Sequence, residues 1–160
     1  MATVIGANYA APMSAAEAVL SGKSFSVGDL SEDSAGNVWM YVQASAAVAA
    51  NYFVVISTTF TAAQITTTNG LRGLRVGSPA VAMASGEFGW VQIYGPSTVQ
   101  VLASAAANAR LNTTATGGAL DDDATTGAKE ITGVALTAAR AASAGTAPAI
   151  LNYPTVGATL

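Results

Sequence analysis

The chain has 160 residues, enough for one domain with a sizeable core, and carries only six Lys plus Arg and nine Asp plus Glu, a net charge of −3. Six scattered basic residues cannot form the basic stripe that phosphate neutralisation needs, so the composition excludes a nucleic-acid partner. Cys and His are both absent, which removes disulfides, imidazole bases and the usual zinc ligands. Charged residues make up 9% of the chain, against ~25% in typical globular proteins, and this scarcity indicates a protein that is packed into an assembly.

Residues 1–22 carry Ala, Ser, Gly, Asn and one Pro and show no sustained period. They predict an extended N-terminal arm that is ordered against a neighbour, in preference to a short helix. The segment Ser14-Ala15-Ala16-Glu17 nevertheless has the spacing of a capping box. No secretory signal is visible in the first residues, and no apolar run approaches the ~20 residues of a membrane span. We therefore expect synthesis in a cytoplasm, no membrane partner, and a single β-rich domain over residues 23–160.

Two strands are predicted next, over residues 25–30 and 38–43, with a polar turn between them. In the second strand Val38, Met40 and Val42 alternate with Trp39 and Tyr41, so both faces carry apolar bulk and both should be covered. The acidic residues around the turn are Asp29, Glu32 and Asp33. Carboxylates in such a turn are more often solvated turn formers than ligands of a cation.

The run over residues 52–60 is rich in β-branched and aromatic side chains and predicts a central strand. An Asn69-Gly70 pair follows, and this pair is the best short-range hairpin signal in the chain. Arg72 and Arg75 lie beside it. They are candidates for pairing with acidic groups on a partner, and the alternative is that they solvate an otherwise uncharged hairpin.

The segment over residues 86–102 is the densest β-forming stretch. Trp90, Gln92 and Tyr94 alternate with Val91 and Ile93, and a second alternating arm follows residue 97. The Gly95-Pro96-Ser97 triplet between the arms predicts a tight reversal, so a hairpin is expected here. Trp90 and Tyr94 should cap the core or cover the other face of the sheet, with a partner interface as the alternative.

The last third predicts an extended loop or strand edge over residues 103–111, a strand over residues 131–136 and a closing edge strand bracketed by Pro148 and Pro154. Between these lies the acidic loop Asp121-Asp122-Asp123. A solvated loop is favoured there over a divalent cation or a basic partner groove, because the spacing does not match a calcium-binding loop. We therefore expect no metal and no cofactor.

No catalytic arrangement emerges from the residue types. Without His or Cys, a nucleophile would need a lysine base or a carboxylate pair. Lys23 and Lys129 are the two lysines, and neither lies in a Ser-x-x-Lys setting. The glycine-rich segments lack phosphate-loop and dinucleotide-binding spacing. The sequence thus predicts that the protein is not an enzyme.

From residue 70 to residue 157 the order of motifs resembles a known family. A glycine-flanked aromatic strand at residues 86–95 precedes the acidic Leu120-Asp121-Asp122-Asp123, the strand Ile131-Thr132-Gly133-Val134-Ala135-Leu136, and the tail Ala149-Ile150-Leu151-Asn152-Tyr153-Pro154. In these features the chain resembles the capsid decoration (cement) proteins of tailed bacteriophages. The resemblance implies a mainly β fold, a small antiparallel β-barrel or β-sandwich, on the outer surface of the virion.

The resemblance also implies partners: the major capsid protein and further copies of the chain, with a trimer favoured. The protein would stabilise the shell by bridging adjacent capsid subunits. The expected contact residues are Tyr9, Pro12 and Met13 from the arm and Arg72 and Arg75 from the predicted hairpin. Deleting residues 2–20 should then abolish loading onto phage heads and leave the β domain folded.

An alternative function belongs to a different class. A head-fibre or surface adhesive module would bind carbohydrate through exposed aromatic side chains, with Trp39, Tyr41 or Trp90 as the platform. The exposure of these three rings separates the two hypotheses: exposed rings favour adhesion, and buried rings favour decoration.

Overall fold

The fold is mainly β, as the alternating patterns predict. The computed structural model describes residues 7–20 and 25–160. In this part of the chain one helix, α1 (Ala15–Leu20), precedes the strands. The strands are β1 (Leu30–Glu32), β2 (Val38–Ala44), β3 (Val54–Ile56), β4 (Thr61–Gln64), β5 (Arg75–Pro79), β6 (Phe88–Val101), β7 (Leu111–Thr113), β8 (Leu120–Asp121), β9 (Lys129–Leu136) and β10 (Gly145–Thr159). Residues 1–6 of the predicted arm, and the predicted domain boundary after residue 22, lie outside the described residues.

The predicted capping box is present at the start of α1. The Ser14 hydroxyl accepts a hydrogen bond from the Glu17 N–H at 3.2 Å, and the Glu17 carboxylate accepts one from the Ser14 N–H at 2.8 Å. These bonds satisfy two donors that a helix start leaves unpaired. The preference for an arm without a helix is therefore wrong over α1. Among the described residues no helix has the length and apolar character needed to cross a bilayer.

The first part of the sheet closes on itself. β2 pairs with β4, β4 with β3, β3 with β5, β5 with β6, and β6 with β2. We call this ring of strands the first unit. Its interior holds the alternating apolar side chains predicted for β2 together with those of its neighbours: Val38, Met40, Val42, Val54, Ile56, Ala62, Val91 and Ile93.

The second part closes in the same way. β6 pairs with β8, β8 with β7, β7 with β9, β9 with β10, and β10 with β6. We call this ring the second unit. Its core cluster contains Val99, Val101, Leu111, Leu120, Ile131, Leu136 and Leu151, and the same cluster includes Phe53, Val55, Ile65 and Val76 from the first unit. The shared strand β6 and the shared core join the two units into one body.

The second unit repeats the first, strand for strand. β2, β3, β4, β5 and the first half of β6 correspond to the second half of β6, β7, β8, β9 and β10. Both parallel pairings, β2 with β4 and β6 with β8, occupy equivalent places in an otherwise antiparallel sheet. Residues 42–51 and 99–108 are identical at six of ten positions. They end at Asn51 and Asn108, whose φ values of 66° and 56° are both left-handed.

The hairpin predicted at Gly95-Pro96-Ser97 is wrong. β6 runs through these residues without reversing, and they pair with residues 149–151 of β10. The prediction that the closing strand lies at an edge of the sheet is also wrong, because β10 lies between β6 and β9. Pro154 fits there since it falls where the pairing with β9 shifts register, a position that does not demand a ladder hydrogen bond.

Three further differences concern the predicted strands and turns. The central strand over residues 52–60 is short, with only β3 forming before the chain turns into β4. The strand predicted over residues 25–30 is wrong, because β1 begins only at Leu30 and continues into the predicted turn. Asn69-Gly70 lies in the loop between β4 and β5, and these strands flank β3 on opposite sides, so it does not form a hairpin. The predictions of a strand over residues 131–136 and of a loop before residue 111 are confirmed.

Candidate functional site

An aromatic cluster lies on the outer face of the first unit. Its residues are Trp39, Tyr41 and Trp90, contributed by β2 and β6 and exposed by only 7%, 6% and 3%. The Tyr41 and Trp90 ring centroids are 5.0 Å apart. Burial raises the pKa of Tyr41. The prediction that these rings cover the second face of the sheet is confirmed for all three, and they do not form an exposed platform for sugar.

The N-terminal segment, residues 7–13, covers this cluster. The Tyr9 ring stacks on Trp39 at a centroid distance of 4.8 Å and meets Trp90 edge-on at 5.6 Å. Its hydroxyl forms a 2.6 Å hydrogen bond with the hydroxyl of Ser31. The backbone of Met13 pairs with that of Phe88 through two hydrogen bonds of 2.7 Å. The segment is therefore held on the chain's own sheet.

The predicted contact residues thus occupy two separate regions of the fold. Tyr9, Pro12 and Met13 belong to the N-terminal segment, where Tyr9 packs inward and Pro12 is partly exposed. Arg72 is exposed in the loop before β5. Arg75 is the first residue of β5 and is paired with β3 and β10. The arginines belong to a loop and strand of the first unit, and the segment lies over the aromatic cluster.

Several carboxylates serve local turns. The Asp33 carboxylate accepts hydrogen bonds from the N–H groups of Ala35 and Asn37, from the Asn37 side chain and from the Trp39 indole, all within 2.9–3.0 Å. Glu87 accepts the N–H of Ala84 at 2.7 Å. Across residues 7–20 and 25–160 no group of three or more acidic residues is placed to hold a metal ion.

In the acidic loop, burial raises the pKa of Asp121, and the neighbouring charges of Asp122 and Asp123 act in the same direction. The Asp122 carboxylate accepts the N–H of Ala106 at 3.1 Å. The loop is thus tied to the turn that precedes β7 rather than standing free in solvent.

Tyr94 was expected to cap the core or cover the other face of the sheet, but its side chain is exposed. It belongs to a second aromatic surface, which lies on the second unit. We call it the tyrosine face; it consists of Tyr94, Pro96, Thr98, Pro148, Ile150 and Tyr153. Tyr94, Ile150 and Tyr153 are exposed by 40%, 43% and 42%. The two tyrosine rings lie 5.2 Å apart at an interplanar angle of 30°. Tyr94 borders a shallow groove of about 560 Å³, which is also lined by Ala35, Gly36, Gly95, Pro96, Ile150, Leu151 and Asn152.

Backbone geometry places these side chains outward. Tyr153 has a left-handed φ of 49°, a conformation uncommon for a bulky residue. It falls within the register shift of β10. The cross-strand pairs Thr98 with Pro148 and Pro96 with Ile150 form the rest of the face. A sequence signal exists in the period-two pattern of residues 146–152, but only the pairing of β10 with β6 reveals that two distant tyrosines meet.

Comparison with known proteins does not assign the chain to a family. No model of a known protein family matches the chain, and no curated protein is similar to it in sequence. Both the N-terminal segment and the tyrosine face offer uncharged contact areas, which suit packing against another protein better than binding of ionic ligands.

Proposed function

We propose that the protein is a structural virion protein that decorates the outer surface of a bacteriophage capsid and stabilises it by bridging major capsid subunits. The observation that carries the proposal is the scarcity of charge, 9% of residues, on a mainly β body. Such a surface suits permanent packing in a lattice better than free dispersion in solvent. The order of the motifs after residue 70 supports the same proposal.

We also propose a more specific description of the fold. Each unit consists of five strands that pair in a closed ring around apolar side chains, and we interpret each ring as a small β-barrel. Closure leaves few free strand edges, which protects a low-charge protein from edge-to-edge aggregation. The trimeric state and the position on the shell remain what the resemblance implies.

In the proposed mechanism, weak contacts are multiplied by the symmetry of the shell. Since Tyr9 is occupied by the aromatic cluster, the outward side of the N-terminal segment is the part that meets the capsid. Ala10 and Ala11 are exposed there, next to the partly exposed Pro12. Arg72 and Arg75 would pair with acidic groups of the capsid subunit.

The structure calls for a sharper test than deletion of residues 2–20, because that deletion would also remove Tyr9 from Trp39 and Trp90. Heads lacking the protein are incubated with it, sedimented, and analysed for bound chain. We expect the double variant Ala10→Glu/Ala11→Glu to lose loading. The matched control is Ala138→Glu/Ala139→Glu, two exposed alanines of the second unit, which should load normally.

The copy number in virions tests the proposal itself. Mass spectrometry of purified virions should find the chain in near-stoichiometric amount relative to the major capsid protein. A handful of copies would instead indicate a fibre or neck component, and absence from virions together with no binding to heads would refute a role in decoration.

One observation favours a second candidate, the adhesive module. The three aromatic residues first considered for it are buried, but Tyr94 and Tyr153 form an exposed pair beside a groove. Aromatic rings of this kind can stack on the apolar face of a neutral sugar. A screen of neutral glycans with the wild type and a Tyr94→Thr variant would detect this activity by tyrosine-dependent binding.

A further inference from the structure

Three polar side chains lie next to one another on the outer face of the second unit. Asn112 of β7 is directly opposite Asp121 of β8 on one side and Glu130 of β9 on the other. Residues directly opposite one another on paired strands project from the same face of a sheet. The alternate residues Leu111 and Leu120 belong to the core, so these three side chains face outward. We call them the polar triad.

Asn112 is fully buried even though it faces outward, because the acidic loop covers it. Its side-chain nitrogen donates to the backbone carbonyl of Asp122 at 3.4 Å. This contact orients the amide, since the reverse orientation would place two acceptors together. Among the described residues, the buried Asn112 Oδ1 has no hydrogen-bond partner, whereas buried acceptors nearly always have one. An unpaired oxygen beneath an acidic loop indicates an electropositive ligand.

The carboxylate of Asp121 is held in place beside this oxygen. It accepts the N–H of Asp122 at 3.0 Å. Burial, together with the charges of Asp122 and Asp123, raises the pKa of Asp121, and a bound cation would relieve this repulsion. Lys129 of β9 donates its ammonium group to the Thr159 hydroxyl at 2.7 Å, so that this basic group is engaged elsewhere.

The repeat provides an internal comparison for the polar triad. The same pairings in the first unit join Val55 of β3 to Ala63 of β4 and to Val76 of β5. Val55 and Val76 belong to the core cluster that the two units share. The fold of the unit therefore accepts apolar residues at these positions. An amide buried where the equivalent residue is valine points to a role for its oxygen beyond packing.

The spacing of the triad suits a calcium ion. Asp121 and Glu130 lie on strands on either side of β7, about 10 Å apart at the backbone, and their side chains can approach each other above Asn112. Oxygen ligands on opposite sides of a calcium ion are about 5 Å apart. Calcium accepts carboxylate and amide oxygens in irregular geometry, whereas magnesium demands a near-ideal octahedron. Because no three acidic groups of the described residues converge, the amide oxygen is an essential ligand.

We propose that Asn112, Asp121 and Glu130 bind a calcium ion, which ties the acidic loop to the outer face of β7 and β9. The two carboxylates balance the charge of the ion, and Asn112 Oδ1 is its neutral ligand. The spacing within the acidic loop predicts no metal, because two of the ligands come from other strands. The inference does not depend on the proposed function, since it concerns the purified protein alone.

Isothermal titration calorimetry of the full chain, after treatment with a chelator, tests the inference. The wild type should bind one Ca²⁺ per chain with a dissociation constant of about 10⁻⁴ M, and Mg²⁺ at least about 10-fold more weakly. Calcium should also raise the melting temperature. Asn112→Val introduces the residue of the equivalent first-unit position. It should fold in the presence of chelator and weaken calcium binding about 10-fold or more.

Two further variants keep the test decisive. Asp121→Asn removes a charged ligand and should weaken calcium binding as much, even if Asn112→Val fails to fold. Asp123→Asn removes the same charge at an exposed position of the same loop, and its affinity should stay within about twofold of the wild type. Circular dichroism confirms the fold of each variant.

Several results would overturn the inference. One is a wild type that gives neither a heat of calcium binding nor a higher melting temperature. Another is calcium binding that Asn112→Val and Asp121→Asn leave unchanged. Equal weakening by Asp121→Asn and Asp123→Asn would show diffuse attraction of calcium to the acidic loop in place of a built site. Magnesium binding as tight as that of calcium would overturn the assignment of the ion.

Discussion

Gly95 lies in β6, the strand that the two units share, and its backbone conformation and small size are both needed there. Its φ of 99° is left-handed, and a Cβ atom at this position would overlap the side-chain oxygen of Asn37. Asn37 cannot easily move, because its amide nitrogen donates to Asp33 at 2.9 Å. The glycine is thus required by the packing of the β1–β2 turn against β6.

We expect Gly95→Ala to lower the free energy of unfolding by about 3 kcal/mol, from backbone strain and overlap together. Gly86→Ala is the matched control. Gly86 also has a left-handed φ, 86°, but a Cβ there meets open space, so the loss should be only about 1–2 kcal/mol. Urea unfolding measures both, and equal losses would show that the overlap with Asn37 costs nothing.

The pH dependence of stability should depend on Asp33. Burial by itself raises the pKa of Asp33, but hydrogen bonds from Asn37, Trp39 and Ala35 outweigh it, so the pKa lies below its usual 3.8. The folded state therefore favours the ionised form. This contribution is complete above pH 3.8 and is lost as the pH falls through the lower, folded-state pKa. Asp33→Asn should reduce stability at pH 7 and flatten the acid side of the stability curve.

Asp121 should change the pH dependence of stability in the direction opposite to Asp33. Burial raises its pKa in the folded state, so ionisation disfavours folding, and this penalty is relieved as the pH falls from above the folded-state pKa towards 3.8. Asp121→Asn should therefore raise stability at pH 7. Asp123→Asn, at an exposed position, is the control. Urea unfolding between pH 2.5 and 7 distinguishes the two sites; a loss of stability in Asp121→Asn at pH 7 would contradict this assignment.

At the scale of elements, Tyr9 contributes the side-chain contacts that hold the N-terminal segment on the aromatic cluster. Tyr9→Ala removes the stack on Trp39 and the hydrogen bond to Ser31, and should cost about 2 kcal/mol. Tyr9→Phe keeps the ring and should cost about 1 kcal/mol. The alanine variant should also shift tryptophan emission to longer wavelength, because Trp39 and Trp90 become exposed to solvent. Unchanged emission would mean that the segment does not shield the cluster.

Elements defined by local chemistry could be predicted from the sequence. The two-sided alternation of β2 follows from neighbouring residues alone, as do the strand within β9 and the Ser14–Glu17 capping box. In each case the pattern and the structure concern the same few residues. Tyr9 was predicted to contact the capsid, but in the structure its ring packs on Trp39 of its own chain.

Elements defined by distant pairing could not be predicted. Gly95-Pro96-Ser97 has the chemistry of a turn, yet the pairing of β6 with β10 keeps it extended. Tyr94 and Tyr153 are remote in sequence and meet only through that pairing, so the local pattern of residues 146–152 could not show that the two rings lie together. The relation between residues 42–51 and 99–108 was available in the sequence, and would have revealed the duplicated unit.

At the scale of the molecule, the duplication raises the question of whether the two units unfold separately. They share β6, and Phe53 and Ile65 of the first unit belong to the core cluster that contains Leu136 of the second. Removing either unit would expose that cluster. We therefore expect one cooperative transition, despite the two rings of strands.

Leu136→Ala tests this expectation, because Leu136 is fully buried in the second unit and its loss should cost about 3 kcal/mol. Both tryptophans, Trp39 and Trp90, lie in the first unit, so their fluorescence reports on that unit alone, whereas far-UV circular dichroism reports on the strands of both. In the variant, the two signals should shift to the same lower urea midpoint. Leu71→Ala, exposed in the loop before β5, should move neither signal. A fluorescence midpoint that stays at its wild-type value while the dichroism separates into two steps would show that the first unit folds alone, and that β6 does not couple the rings.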